Sequence, residues 1–397
     1  MAGPSELMAG APPWPEDRRV TLANWQDPPW NRWSFQHVRE LIPTARIRRA
    51  EVPSPLPRAE QDLDDLRLTS DGREWTLART LAETFTDGFL VLHHGRIVTE
   101  RYFNGMRPDV THLLMSVSKS VVGTVAGILA GRGELDVAAD VGDIVPELAA
   151  TSFSGATVQD LLDMRAGTRF DEDYDNLDAD VRVYERVYLW RPDDGTPRPA
   201  DALGYYATLV NDGRHGGPFR YRSILTDVLG WVLERAVDRR LPELITELLW
   251  RPLGAAADAE ITLDAHGNAM ADGGICTTLP DLARFGASYL GAGGLIPHSW
   301  IDDVVQGAPD GADAFVAGDN PPGWPPGAHY RNCWWVRDPG APLFMASGIY
   351  GQNVFVLPAA DLVVAKFSTW PTPLSQPFRA LTTDAVLAIA DALSAQV

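Results

Sequence analysis

The sequence predicts an α/β fold: one antiparallel sheet, built from both ends of the chain, flanked by helices and carrying an inserted, mostly helical lobe. Three observations predict it. Strand patterns occupy residues 89–102, helical periods dominate from 116 to about 250, and strand patterns return after Ala341. The expected division is an arm and first part of the α/β domain over 1–115, the helical lobe over 116–264 and the second part over 265–397.

Taken in order, residues 1–20 are rich in Pro, Gly and Ala and read as a loose arm. Trp25, Trp30, Trp33 and Phe35 mark a segment wrapping the body, with a short helix near His37–Leu41. Residues 51–62 read as a linker. Phe89–His94, the pair Gly95-Arg96 and Ile97–Tyr102 read as strand, turn and strand. Residues 116–131 are helical by period, with Val121, Val122, Val125, Ile128 and Leu129 as the apolar stripe. Val158–Met164, Thr226–Val237 and Leu241–Leu249 are further helices. Leu343–Ser347, Gln352–Leu357 and Leu362–Thr369 are strands, and Ser375–Ala395 is a closing amphipathic helix.

Composition narrows the function. The 397 residues are 45% hydrophobic and 22% charged, which is globular usage. Asp and Glu number 53 against 34 Lys and Arg, a net charge of −19. So acidic a surface repels phosphate backbones and anionic lipid, so neither nucleic acid nor membrane is an expected partner. No apolar run reaches the ~18 residues that span a bilayer. The N-terminus lacks a basic start followed by an apolar stretch, so the expected address is cytoplasmic. Cys276 and Cys333 stand far apart and no HExxH occurs, so no metal is expected.

Only two of the 34 basic residues are lysines, Lys119 and Lys366. Lysine offers what arginine lacks: a pKa that burial can lower until the amine acts as a base. Lys119 closes the run Ser116-Val117-Ser118-Lys119 at the start of the apolar helix. Residues three apart share a helix face, so the Ser116 hydroxyl and the Lys119 amine are expected to be neighbours. Serine needs a base to attack, and an amine kept neutral by burial supplies one. Helix N-terminal N–H groups would favour a developing oxyanion. Tyr221-Arg222-Ser223 adds a phenol that can relay a proton when paired with a lysine. Lys366 lies in a strand pattern and reads as structural.

SxxK followed about 105 residues later by Y-x-[NS] resembles the serine β-lactamases of class C, the DD-peptidases and their esterase relatives. Residues 158–167 (VQDLLDMRAG), 226–254 and 273–286 (GGICTTLPDLARFG) are similar to further segments of that family. No GxSxG occurs to suggest an α/β-hydrolase elbow. Asn31-Arg32-Trp33, Leu114–Ser120, Asp173-Tyr174, Trp334-Trp335 and Gly348–Asn353 narrow the resemblance to the 6-aminohexanoate-dimer hydrolases, nylon-oligomer amidases with carboxylesterase activity. The resemblance runs from about Thr21 to the C-terminus.

The resemblance implies a serine β-lactamase-like fold with Ser116 as nucleophile, Lys119 as its base and Tyr221 as the proton relay. It implies an oxyanion hole made by the N–H groups of Ser116 and Ile349, and a Tyr174 that closes over substrate. Glu185 and Asp272 fall where the subfamily has polar residues at the substrate's amine end, and plain surface charge is the other reading of both. Trp190, Trp334 and Trp335 are candidates for cleft walls, with core packing an equal reading for one of the tandem pair. Where the family carries a cation before Thr-Gly, this chain has Ala346-Ser347-Gly348. A neutral, apolar-lined site is therefore expected, suited to linear amides and esters rather than β-lactams. No cofactor is implied. The expected partner is a small-molecule amide or ester, and a homodimer stays open. The alternatives are another ester, peptide or β-lactam substrate, or a catalytically silent ligand binder.

Overall fold

The large sheet has seven antiparallel strands. In chain order they are β1 (Thr86–His93), β2 (Arg96–Tyr102), β3 (His329–Arg331), β4 (Trp334–Asp338), β5 (Leu343–Gly348), β6 (Gln352–Leu357) and β7 (Leu362–Ser368), arranged β2-β1-β7-β6-β5-β4-β3. The chain's two ends therefore meet where β1 pairs with β7, Val91 opposite Val364. This computed structural model describes residues 6–291, 293–319 and 321–395; the remainder of the expected N-terminal arm, 1–5, lies outside the described residues.

Period-2 alternation fills two cores with one set of strands. Phe89, Val91, Phe355, Leu357, Leu362 and Val364 face one layer, with Leu381, Val386, Ile389 and Leu393 of the closing helix. Leu90, Leu92, Val354, Val356, Val363 and Phe367 face the other, with the nucleophile helix and the rest of the body. Covered on both faces, these strands read as continuous apolar runs.

Four helices matter for the site: α1 (Val117–Gly131), α2 (Ile224–Val237), α3 (Leu279–Ala287) and α4 (Gln376–Ser394). Ser375 caps α4 by accepting from the Phe378 N–H at 3.4 Å. The β1–β2 turn is His94-Gly95, one residue earlier than expected, and both residues have positive φ (50° and 67°). A two-residue turn with that geometry matches the twist of its strands. The helix expected over 241–249 is α-helical only at Leu241–Leu244 and continues as a π-helix to Trp250. A second sheet of four short strands pairs Thr44–Ile47, Ala259–Thr262, Ile275–Thr277 and His112–Leu113 in that order. Helical structure does not stop at residue 264, because α3, His298–Gln306 and Gly311–Val316 follow it. The arm is tied down in part: Leu7 and Val20 are buried, and the Met8 N–H donates to Arg18 O at 2.9 Å.

Lys366 sits mid-strand in β7, opposite Asn353 and Phe89. Its amine donates to Ser368 Oγ and, at 3.4 Å, to Thr84 O. Burial lowers its pKa to about 7, with Asp87 pulling the other way. The unfolded chain keeps this lysine protonated up to about 10, so between these values the unfolded state binds one more proton. Stability contributed by this residue should therefore rise with pH from about 7 to 10, by up to ~1.4 kcal/mol per pH unit. Denaturant melts of Lys366→Met should lack that rise; parallel pH profiles for variant and parent would refute it.

Candidate active site

The turn before α1 sets the nucleophile. Met115 has φ 48°, a left-handed conformation, and Leu114 N–H donates to Ile275 O at 2.8 Å. Ser116 is thereby left half-buried at the helix start, while Lys119, one turn later, is 1% exposed. Lys119 Nζ donates to Ser116 Oγ at 2.9 Å and to Asp272 O at 2.9 Å, with Asp272 Oδ2 3.6 Å away. The other two serines of the motif are structural. Ser118 Oγ accepts from Ile275 N–H at 3.2 Å, and Ser120 Oγ donates to Cys333 O at 2.7 Å.

The expected neutral amine is corrected. Burial pushes the Lys119 pKa down, but Tyr221, Asp272, Glu172 and Asp227 together outweigh it and hold the amine above its ordinary value. It is a buried ammonium at rest. Asp227, within the apolar face of α2, is pushed far above the carboxylate range by burial and then by Asp272, whose N–H it accepts at 3.0 Å.

Tyr221 stacks on Trp335, with centroids 5.3 Å apart and 22° between planes, and meets Tyr330 edge-on. Its ring centroid is 5.3 Å from Lys119 Nζ. Burial raises the phenol's pKa, and the Lys119 charge and Ser116 pull it back. Ser223 of the same motif donates its hydroxyl (2.5 Å) and its N–H (2.7 Å) to Glu172. Glu172 also accepts the Tyr174 hydroxyl at 2.7 Å. Burial raises the Glu172 carboxyl and Lys119 lowers it. The second half of Y-x-S thus anchors Tyr174 through a carboxylate that reads, in sequence, as one of an acidic run.

Strand β5 delivers the other side of the site. A Cβ on Gly348 would lie 2.7 Å from Leu114 O and 3.1 Å from Ser116 N, so only glycine lets the strand end pass this close. Ile349 follows, and Tyr350 takes φ 61°. Neither the Ser116 nor the Ile349 N–H donates to the turn, loop and cap hydrogen bonds around it.

These groups border a cleft of about 460 Å³ lined by Ser116, Tyr174, Tyr221, Trp324, Trp335 and Trp370 among others. Behind it, a cavity of about 30 Å³ is bordered by Ser116, Tyr174, Glu185, Trp190, Asp272 and Ile349. Of the tandem pair, Trp335 faces the cleft and Trp334 is core. Trp190 walls the inner cavity rather than the cleft, donating to Thr262 Oγ1 at 3.1 Å.

Glu185 and Asp272 both border this inner cavity, and Glu185 accepts there from Gln26, Arg182 and Arg191 in a buried ion cluster. Asp272 is the charge partner of Lys119 and not surface charge, although its Oδ1 has no partner among the described residues. The expected neutral cleft is also corrected, because Arg379 of α4 lines it.

The Beta-lactamase family model matches residues 77–388. The chain belongs to the Beta-lactamase family. A curated relative, the 6-aminohexanoate-dimer hydrolase of Paenarthrobacter ureafaciens, is 37% identical over 382 residues, 94% of each chain. A solved Bacillus anthracis protein named for the same hydrolase superposes with TM-score 0.87 at 26% identity, covering 96% of this chain and 99% of that one. The hydrolase EstCE1, at 19% identity and TM-score 0.60 over 78% of this chain and 98% of its own, shares the fold. This Beta-lactamase family member is a serine hydrolase of amide or ester bonds. Among the described residues no helix is long and apolar enough to cross a membrane.

Proposed function

We propose that the protein hydrolyses a linear amide or ester through an acyl-Ser116 intermediate, as an amidase and carboxylesterase of the 6-aminohexanoate-dimer hydrolase type. The observation that carries this reading is the 2.9 Å Lys119–Ser116 contact at the floor of an apolar cleft, beside the Gly348 strand end. Ser116 Oγ attacks the carbonyl carbon, and its proton passes to Lys119 in the fraction of molecules whose amine is neutral. The new oxyanion accepts from the N–H groups of Ser116 and Ile349. Tyr221 gives its proton to the departing amine or alkoxide and recovers one from Lys119. A water then loses a proton to the same pair as it attacks the acyl carbon, and Ser116 leaves reprotonated. Tyr174, held on Glu172, and Trp335, stacked on Tyr221, wall the substrate chain.

The test combines active-site labelling with turnover. A fluorophosphonate should label Ser116 alone, and a p-nitrophenyl ester and the 6-aminohexanoate linear dimer should both be cleaved, with nitrocefin turned over poorly. A folded protein left unlabelled at Ser116 overturns the proposal. Fast nitrocefin turnover without amide cleavage overturns its substrate class.

A further inference from the structure

The turn that carries Ile349 is fastened from outside itself. Tyr350 N–H donates to Pro373 O at 2.9 Å, and Tyr350 O accepts from Trp370 N–H at 3.2 Å. Gly351 O accepts from Asn353 Nδ2 at 3.1 Å, and a Cβ on Gly351 would lie 2.3 Å from the Trp370 ring. The carbonyl of Ile349 itself accepts from Gln352 Nε2 at 3.4 Å. Gln352 is fully buried and does not line the cleft, so it can reach the reacting atoms only through Ile349.

The same amide also bridges to β7. The ladder between β6 and β7 ends where Asn353 faces Lys366, and Ser368 pairs instead with Thr86 of β1 across a register shift. Beyond that point Gln352 Nε2 donates to Ser368 O at 2.7 Å, and Gln352 Oε1 accepts from Ser368 N–H at 3.1 Å. Two bonds exchanged with one residue are what a backbone rung of an antiparallel pair supplies. The side chain stands in for that rung, which lets the backbone of 349–351 leave the sheet beside Ser116, with Tyr350 at φ 61°. We propose that Gln352 is a positioning residue for the oxyanion hole: anchored on the end of β7, it holds the Ile349 carbonyl so that the N–H on the other side of the same Cα keeps its aim at the tetrahedral oxygen. The proposal rests on the hydrolase reading above and on its assignment of Ile349. Gly348, paired opposite Gln352 at the end of β5, fixes the peptide that carries this N–H from one side, and Gln352 fixes the next peptide from the other. An oxyanion donor works only over about 2.7–3.1 Å. A turn tied at one end alone therefore loses transition-state stabilisation before it loses substrate binding.

The test separates the two losses. Gln352→Met keeps a similar volume and removes every hydrogen bond of the amide. Its kcat for a p-nitrophenyl ester and for the 6-aminohexanoate linear dimer should fall about tenfold to a hundredfold, with KM within about threefold of the parent. Phenylboronic acid, which adds to a serine oxygen as a tetrahedral anion, should lose inhibition by a similar factor. A general loosening would move KM as well, because Trp370 and Pro373, to which the turn is tied, line the cleft. Gln352→Glu keeps the acceptor for Ser368 N–H and withdraws the donors; it should show the same split, and it serves where the methionine variant does not fold. Values of kcat and boronate inhibition within about threefold of the parent, a KM that rises in step with the loss of kcat, or failure of both variants to fold overturns the proposal and leaves the hydrolase reading intact. Absence of Ser116 labelling by a fluorophosphonate in the folded parent is the separate failure of the hydrolase reading, and unimpaired turnover in Gly348→Ala is the failure of its Ile349 assignment.

Discussion

Lys119→Arg is expected to lower kcat/KM by about a thousandfold while Ser116 keeps a cationic neighbour. The amine is an ammonium at rest, so arginine preserves the resting charge beside Asp272 and removes only the ability to lose the proton. That separates a proton-accepting lysine from one that merely stabilises charge, a distinction that replacement by alanine cannot make. Melting temperature checks that the larger side chain is accommodated. Turnover within tenfold of the parent would remove Lys119 from the base role. The same logic fixes the pH profile. Since Tyr221 and then Asp272, Glu172 and Asp227 hold the amine above its ordinary value, the reactive neutral form grows with pH, and kcat/KM should climb from neutral into alkaline solution. Asp272→Asn withdraws one of those carboxylates and leaves the backbone acceptor, so the climb should move to lower pH. The gain at pH 7 should be on the order of tenfold. A profile already flat below pH 7 in the parent would contradict the buried ammonium.

Gly348→Ala should cost about a hundredfold in kcat with a much smaller change in KM. The added methyl meets backbone, Leu114 O at 2.7 Å and Ser116 N at 3.1 Å, which cannot swing aside as a side-chain tip can. Strand end and nucleophile turn must separate, and the two N–H donors proposed for the oxyanion move apart. Loss of one such donor costs ~2.7–4 kcal/mol of barrier. Because the damage falls on the transition state, labelling by a fluorophosphonate, which builds a similar oxygen, should slow in parallel. Normal kcat in a folded Gly348→Ala protein would mean that Ile349 N–H takes no part.

What was legible in the sequence follows the range of each interaction. Ser116 and Lys119 are one helical turn apart, so local geometry alone brought them together, as it did the two strands of the hairpin, whose turn lies at 94–95 rather than at the expected 95–96. The charge on Lys119 was not legible, because Tyr221, Asp272, Glu172 and Asp227 arrive from segments far along the chain. The lysine argument itself applies to Lys366, whose pKa burial does lower, and which lies mid-strand in the large sheet opposite Asn353. Glu172 was hidden in the run Asp171–Asp175, and only its hydrogen bonds to Ser223 and Tyr174 set it apart. The one available signal was Ser223 at the second position after Tyr221, a polar residue needing a partner. Arg379 resembles any polar residue in the first turn of an amphipathic helix. The strands of the small sheet, two to four residues long, are too short to show a period.

The cleft walls are drawn from segments as far apart as Ser116 and Arg379. During synthesis, therefore, the nucleophile emerges from the ribosome long before the helix that carries the last wall. A nascent chain that has not yet released that helix lacks both the last wall of the cleft and the cover over one face of the large sheet, so the site should be completed only after synthesis ends.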